Sequence, residues 1–135
     1  MCMAIYHTRK EHELFELNFS SQTPLYLQIV KQTRLLIAKG ILQDGDAMPS
    51  VRELSKTLLV NTSTVSKAYK ALQDLGIMET RPGTGSFICI KKEMLDTEVK
   101  KIEAKLLDLF LETRFLQIPE ERIKEIYDES AKEVL

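Results

Sequence analysis

The sequence has no tryptophan, two cysteines and only five glycines among 135 residues. So little glycine beside 44% apolar residues excludes a low-complexity or collagen-like chain. What remains is one globular domain, or one small domain with an appendage. Cys2 and Cys89 have no metal-ligand spacing, so they read as reduced, structural or incidental thiols and no metal is expected. The longest apolar runs fall far short of the roughly 18 residues a membrane span needs, so no membrane partner is expected. MCMAIYHTRKEHE lacks the apolar stretch of a signal peptide, which makes the cytoplasm the expected compartment. His7 and His12 lie in the N-terminal arm, no nucleophile–base pair is evident, and no glycine-rich phosphate loop follows a strand. Neither an enzyme nor a bound cofactor is expected.

The net charge of −1 hides a division. Residues 24–92 carry ten Lys or Arg against five Asp or Glu, whereas residues 93–135 carry seven against twelve. A basic middle followed by an acidic tail suggests one part meeting a polyanion and another doing something else.

Helical signals come first. Thr23-Pro24 reads as an N-cap followed by proline, then Tyr26, Ile29, Val30, Thr33, Leu36 and Ile37 recur at helical spacing until Gly40. Gln28, Lys31, Gln32 and Arg34 fall mainly off that stripe. QDGDAMPS (43–50) is turn chemistry, and Ser50 with Glu53 has capping-box spacing ahead of a short second helix. A third helix follows within two or three residues, with Val65, Ala68, Tyr69, Leu72 and Leu75 inward and Gly76 as its stop. Two short helices so close must cross steeply, as in a helix-turn-helix. IMETRPGTGSFICI (77–90) then reads as a two-stranded hairpin around Pro82-Gly83-Thr84-Gly85. From Met94 the helical pattern returns, and it restarts at Pro119. The expected fold is mainly α with a small β-hairpin wing: an N-terminal arm (1–23), a winged helix-turn-helix (24–92) and a short all-helical tail (93–135).

The stretch VNTSTVSKAY (60–69) puts five short polar side chains where a helix begins. Such residues compete for backbone hydrogen bonds, and Asn61 alone would suffice as a cap. On a helical wheel Thr62, Ser63, Ser66, Lys67, Lys70 and Gln73 point away from the apolar set, with Thr64 at its margin. That outer face lacks acid until Asp74. A merely solvated face usually mixes Glu with Lys. A face laid in a DNA groove wants short hydroxyls that let the backbone come close, with lysines behind them to neutralise phosphates. Arg52 in the second helix, and Arg81, Gly83 and Thr84 at the hairpin tip, extend the candidate contacts to two further elements.

These residues resemble the DNA-binding domain of GntR-family bacterial transcription regulators. The resemblance rests on PLY-x-QI at the start of 24–88, G-D-x-x-P-S-x-R-E-L (45–54), V-N-x-x-T-V-x-K-A-Y (60–69), L-x-x-x-G-I (72–77) and R-x-G-x-G-[ST]-F (81–87). Within the family the short tail is similar to the YtrA-like subgroup. The resemblance implies a homodimeric repressor, often of transporter genes, that contacts double-stranded DNA through Arg52, the Thr62–Ser66 region and the wing around Gly83. Three positions depart from the pattern. Leu59 stands where the family usually has glycine, Thr62 and Ser66 stand where some members carry arginine, and Ser55 replaces a common alanine. A positive φ at Leu59 would strain the turn, and readout through hydroxyls would lean on waters and shape.

The tail's apolar face is too wide for one short helix on a small domain. Ile102, Leu106, Leu109, Phe110 and Phe115, with Ile126 and Tyr127 from the last helix, are the expected dimer interface. The sequence leaves open both a small-molecule effector of unspecified identity, in a cleft between tail helices or wings, and no effector at all. The competing reading is a winged-helix protein-interaction module with a helical scaffold tail and no operator.

Overall fold

A computed structural model describes residues 14–134 of the chain. Cys2, His7, His12 and most of the expected arm lie outside the described residues, as does the side chain of Val134. The elements in order are α1 (Leu25–Ala38), β1 (Ala47–Met48), α2 (Val51–Leu58), α3 (Thr62–Asp74), β2 (Met78–Arg81), β3 (Gly85–Ile88), α4 (Lys92–Phe115) and α5 (Glu120–Val134). They form two compact units, one ending at Lys92 and the other beginning at Glu93.

In the first unit α1 buries Ile29, Val30, Thr33 and Leu36. The Thr33 hydroxyl donates to the Ile29 carbonyl at 2.8 Å, so its polar atom is satisfied inside its own helix. Pro24, not Thr23, is the N-cap, and no side chain caps it. Gln28 instead secures the chain that leads into the helix. Its amide donates to the carbonyls of Thr23 (2.8 Å) and Asn18 (3.0 Å), and its oxygen accepts from the Asn18 N–H (2.8 Å). Gln32 pairs in the same two-way fashion with the backbone of Glu16. Residues 14–23 are therefore fastened to the chain's own α1, with Phe15 buried beneath them. Gln28 is itself buried, although its place on the helical wheel lies off the apolar stripe.

The capping box of α2 is complete. Ser50 Oγ accepts from the Glu53 N–H (3.1 Å), and the Glu53 carboxylate accepts from the Ser50 N–H (2.9 Å). Leu54 is its buried anchor, and Ser55, also buried, donates to the Val51 carbonyl at 2.6 Å. In α3 Val65, Ala68, Tyr69 and Leu72 face the core, and the Tyr69 hydroxyl donates to the Pro49 carbonyl at 2.6 Å. That bond fixes α3 against the entrance to α2. Cys89 is a quiet thiol. Desolvation, then a hydrogen bond to Glu79 and the nearby Glu79 and Asp44 charges, raise its pKa and keep it protonated at neutral pH.

The expected two-stranded hairpin is a three-stranded sheet in the order β1-β3-β2. Ala47 and Met48, within the stretch read as turn, pair antiparallel with Phe87 and Ser86. Two residues are too short to show any alternation, so β1 leaves no signal in the sequence.

Leu59 closes α2 in the left-handed conformation, φ 55° and ψ 43°, with its side chain 86% exposed. A non-glycine residue there costs roughly 1–2 kcal/mol, and so exposed a side chain recovers little by packing. Leu59→Gly gives part of that gain back through unfolded-state entropy. The expected net result is stabilisation by about 0.5–1 kcal/mol, seen as a thermal midpoint roughly 2–6 °C higher. An unchanged or lower midpoint would show that the turn is not strained.

The second unit is two consecutive helices, α4 and α5. α4 turns through Gln117, at φ 54°, and Pro119 opens α5 by accepting from the Arg122 and Ile123 N–H groups at 3.0 and 3.3 Å. α4 buries none of its 24 residues. Among the described residues no helix is long and apolar enough to cross a membrane.

Candidate nucleic-acid interface

The interface begins at the cap of α3. Asn61 Oδ1 accepts from the Ser63 N–H at 3.2 Å, and the Thr62 hydroxyl turns toward the same oxygen at 3.4 Å. Asn61 thus ends one orphan donor of the first turn, and no acidic residue stands in that turn. Thr62, Ser63, Ser66, Lys67 and Lys70 are exposed on one face, and Thr64 is half-buried at its edge. The split of hydroxyls and lysines from the apolar set is the one the helical spacing predicts.

The two lysines are lightly held. Lys67 Nζ lies 4.1 Å from the centre of the Tyr26 ring, which gives the ammonium a weak resting place beside α1. Lys70 Nζ stands 3.8 Å from Asp74, with both side chains mostly exposed. An exposed pair of this kind is worth at most a fraction of a kcal/mol and yields readily to a phosphate.

Arg52 is exposed in the first turn of α2. Arg81 ends β2 with its guanidinium 4.8 Å from the centre of the Phe87 ring and 3.8 Å from Glu79. Stacking on Phe87 holds the arginine beside the tip. The tip itself is open. Gly83 has φ 74° with nothing within 4 Å of where a Cβ would stand, so the backbone conformation and not space demands glycine. The Thr84 N–H donates to the Arg81 carbonyl at 3.0 Å, closing the turn, and Arg81, Gly83 and Thr84 are all exposed.

One link between helix and hairpin has no signature in the sequence. Gln73, counted with the outer face of α3, donates through Nε2 to Thr80 Oγ1 at 2.9 Å, and Thr80 Oγ1 lies 3.0 Å from Ser86 Oγ. The last turn of α3 is thereby tied to both strands of the hairpin.

Two short helices packed on each other, α2 and α3, the hydroxylic, acid-poor outer face of α3 and a hairpin tied to α3 define a winged helix-turn-helix protein of the DNA-binding class. Residues 25–88 match the family described as bacterial regulatory proteins, gntR family. The chain is also 35% identical over 123 residues to the HTH-type transcriptional repressor YtrA of Bacillus subtilis (strain 168), covering 90% of this chain and 95% of that one. It belongs to the GntR family, whose members are DNA-binding transcription regulators and not enzymes. Among solved structures it is similar to a transcriptional antiterminator from Listeria monocytogenes EGD-e. That likeness has a TM-score of 0.77 at 32% identity and covers 91% of this chain and 93% of the other. YtrA from Sulfolobus acidocaldarius, a GntR-family transcription factor, aligns with a TM-score of 0.55 at 36% identity over 67% of this chain and 98% of its own.

Proposed function

We propose that the chain is a homodimeric transcriptional repressor that binds a twofold-symmetric operator. Residues 24–92 read the DNA, and residues 93–135 join the two copies. The observation that supports this most is the undressed tail. Ile102, Leu106, Leu109, Phe110, Phe115, Ile126 and Tyr127 are all exposed, on two helices of which the longer buries nothing. Apolar surface so extensive calls for a partner, and a second copy supplies a matching face by symmetry. Pairing also answers a weakness of the reading unit, since one winged helix touches few phosphates and holds DNA loosely at physiological salt.

In each copy the Thr62–Lys70 face enters the major groove. Lys67, Lys70 and Arg52 meet phosphates, and Ser63, Thr64 and Ser66 approach base edges. The wing brings Arg81 and the backbone around Gly83 and Thr84 to the neighbouring groove. The repressor assignment follows the sign of the Bacillus subtilis relative.

The test is selection of duplexes by the full chain from a random pool, with sedimentation of the resulting complex. The expected result is an enriched inverted repeat bound by two protomers. Failure to enrich any sequence would favour the protein-interaction module instead.

A further inference from the structure

The wing of this protein is tied down just below its tip. β2 and β3 pair in the register Met78↔Ile88, Glu79↔Phe87, Thr80↔Ser86 and Arg81↔Gly85. Thr80 and Ser86 are therefore the last cross-strand pair before Arg81 and the turn. Their hydroxyls are 3.0 Å apart, and Gln73 of α3 donates to the Thr80 hydroxyl at 2.9 Å. Ser86 is buried and pairs on its other side with Met48 of β1. The chain of three side chains thus runs from the last turn of the groove-facing helix, through the hairpin, into the middle of the sheet.

We propose that Gln73 and Thr80 are positioning residues for DNA binding, holding the wing at the angle to α3 that lets Arg81 and the Thr62–Lys70 face engage one duplex together. This rests on the DNA-docking reading above. Because β1 pairs with β3 only at Phe87 and Ser86, the hairpin beyond that pair projects as two strands, and two strands alone twist easily. The backbone bonds that hold it at its base, from the Lys91 N–H to the Gly76 carbonyl and from the Cys89 N–H to the Ile77 carbonyl, lie at the far end of the strands. A side-chain tie one residue before Arg81 acts where a small rotation displaces the tip most. Neither hydroxyl nor amide needs to touch DNA for this.

The experiment measures affinity and its salt dependence for the full chain on a selected duplex. Thr80→Val keeps the shape and removes the hydroxyl, whereas Thr80→Ser keeps the hydroxyl. Thr80→Val is expected to weaken binding roughly fivefold to tenfold, part of the about thirtyfold that two phosphate contacts supply at 0.15 M salt. Thr80→Ser should bind as the parent does. Gln73→Ala, at a partly exposed helix position, gives the same loss without touching the sheet. The decisive reading is the double variant. If the tie positions the wing, Arg81→Ala costs less in the Gln73→Ala background than in the parent, a non-additivity that a mere loss of stability does not produce. Full additivity, a silent Thr80→Val, or a silent Arg81→Ala in the parent overturns the proposal. Tight binding by the parent together with a loss on Lys67→Ala would show that DNA docking stands even when the tie fails.

Discussion

Leu109→Glu is expected to leave the protein monomeric and to weaken its hold on operator DNA at least a hundredfold. Leu109 and Phe110 are 55% and 43% exposed in the single chain, so a carboxylate there meets water and costs the isolated fold little. In a paired tail the same carboxylate would be buried twice, once per copy, without a partner charge. Desolvating an unpaired carboxylate costs several kcal/mol, and each 1.4 kcal/mol is a factor of ten. The dimer constant should therefore rise by at least about a hundredfold. DNA affinity follows, because the second half-site is then no longer delivered at the high effective concentration that linkage provides, an advantage of about 10²–10⁴. Sedimentation checks the first step and mobility shift the second. Phe110→Glu should behave alike, while the thermal transition of the winged unit, whose core holds Leu54, Val65 and Leu72, stays in place. A dimer that survives Leu109→Glu would move the interface off this face.

The second large effect belongs to Lys67. Lys67→Ala should loosen binding to every sequence alike and flatten the dependence on salt. Each phosphate neutralised adds about 0.9 to the slope of log affinity against log salt. Two protomers lose two contacts, so the slope should fall by roughly 1.8, which at 0.15 M salt is a loss of about thirtyfold. The resting contact with the Tyr26 ring weighs little against this, since an exposed cation–π contact is worth about 0.5–1 kcal/mol. An unchanged slope would remove Lys67 from the phosphate contacts.

The helices and the caps of α2 and α3 were legible in the sequence because they are local, whereas the cap expected at Thr23 falls on Pro24 with no side chain serving it. Ser50 and Glu53 are three residues apart, Asn61 stands one residue before its helix, and Val65, Ala68, Tyr69 and Leu72 repeat at the helical period. So was the outer face of α3, since wheel geometry depends on no other element. The misses share a different property. Gln28 and Gln32 act on backbone ten and sixteen residues away, and a glutamine carries the same letter whether it is solvated or buried as a clamp. β1 is two residues long and gains its identity from β3. Gln73 lies on the face that spacing assigns to solvent, yet its amide is spent on the wing. Leu59 stands out only against the glycine that the family resemblance leads one to expect, and the left-handed backbone there gives that departure its cost.

Operator binding by this protein requires two copies to deliver their α3 faces to one side of a duplex at a fixed spacing. Hydroxyl-radical footprinting of the full chain on a selected operator measures this directly. Two protected patches on the same face, with centres about 10 base pairs or a multiple apart, are the predicted result, collapsing to weak single-site protection in Leu109→Glu. A single patch in the parent protein, or a footprint that Leu109→Glu leaves intact, would contradict it.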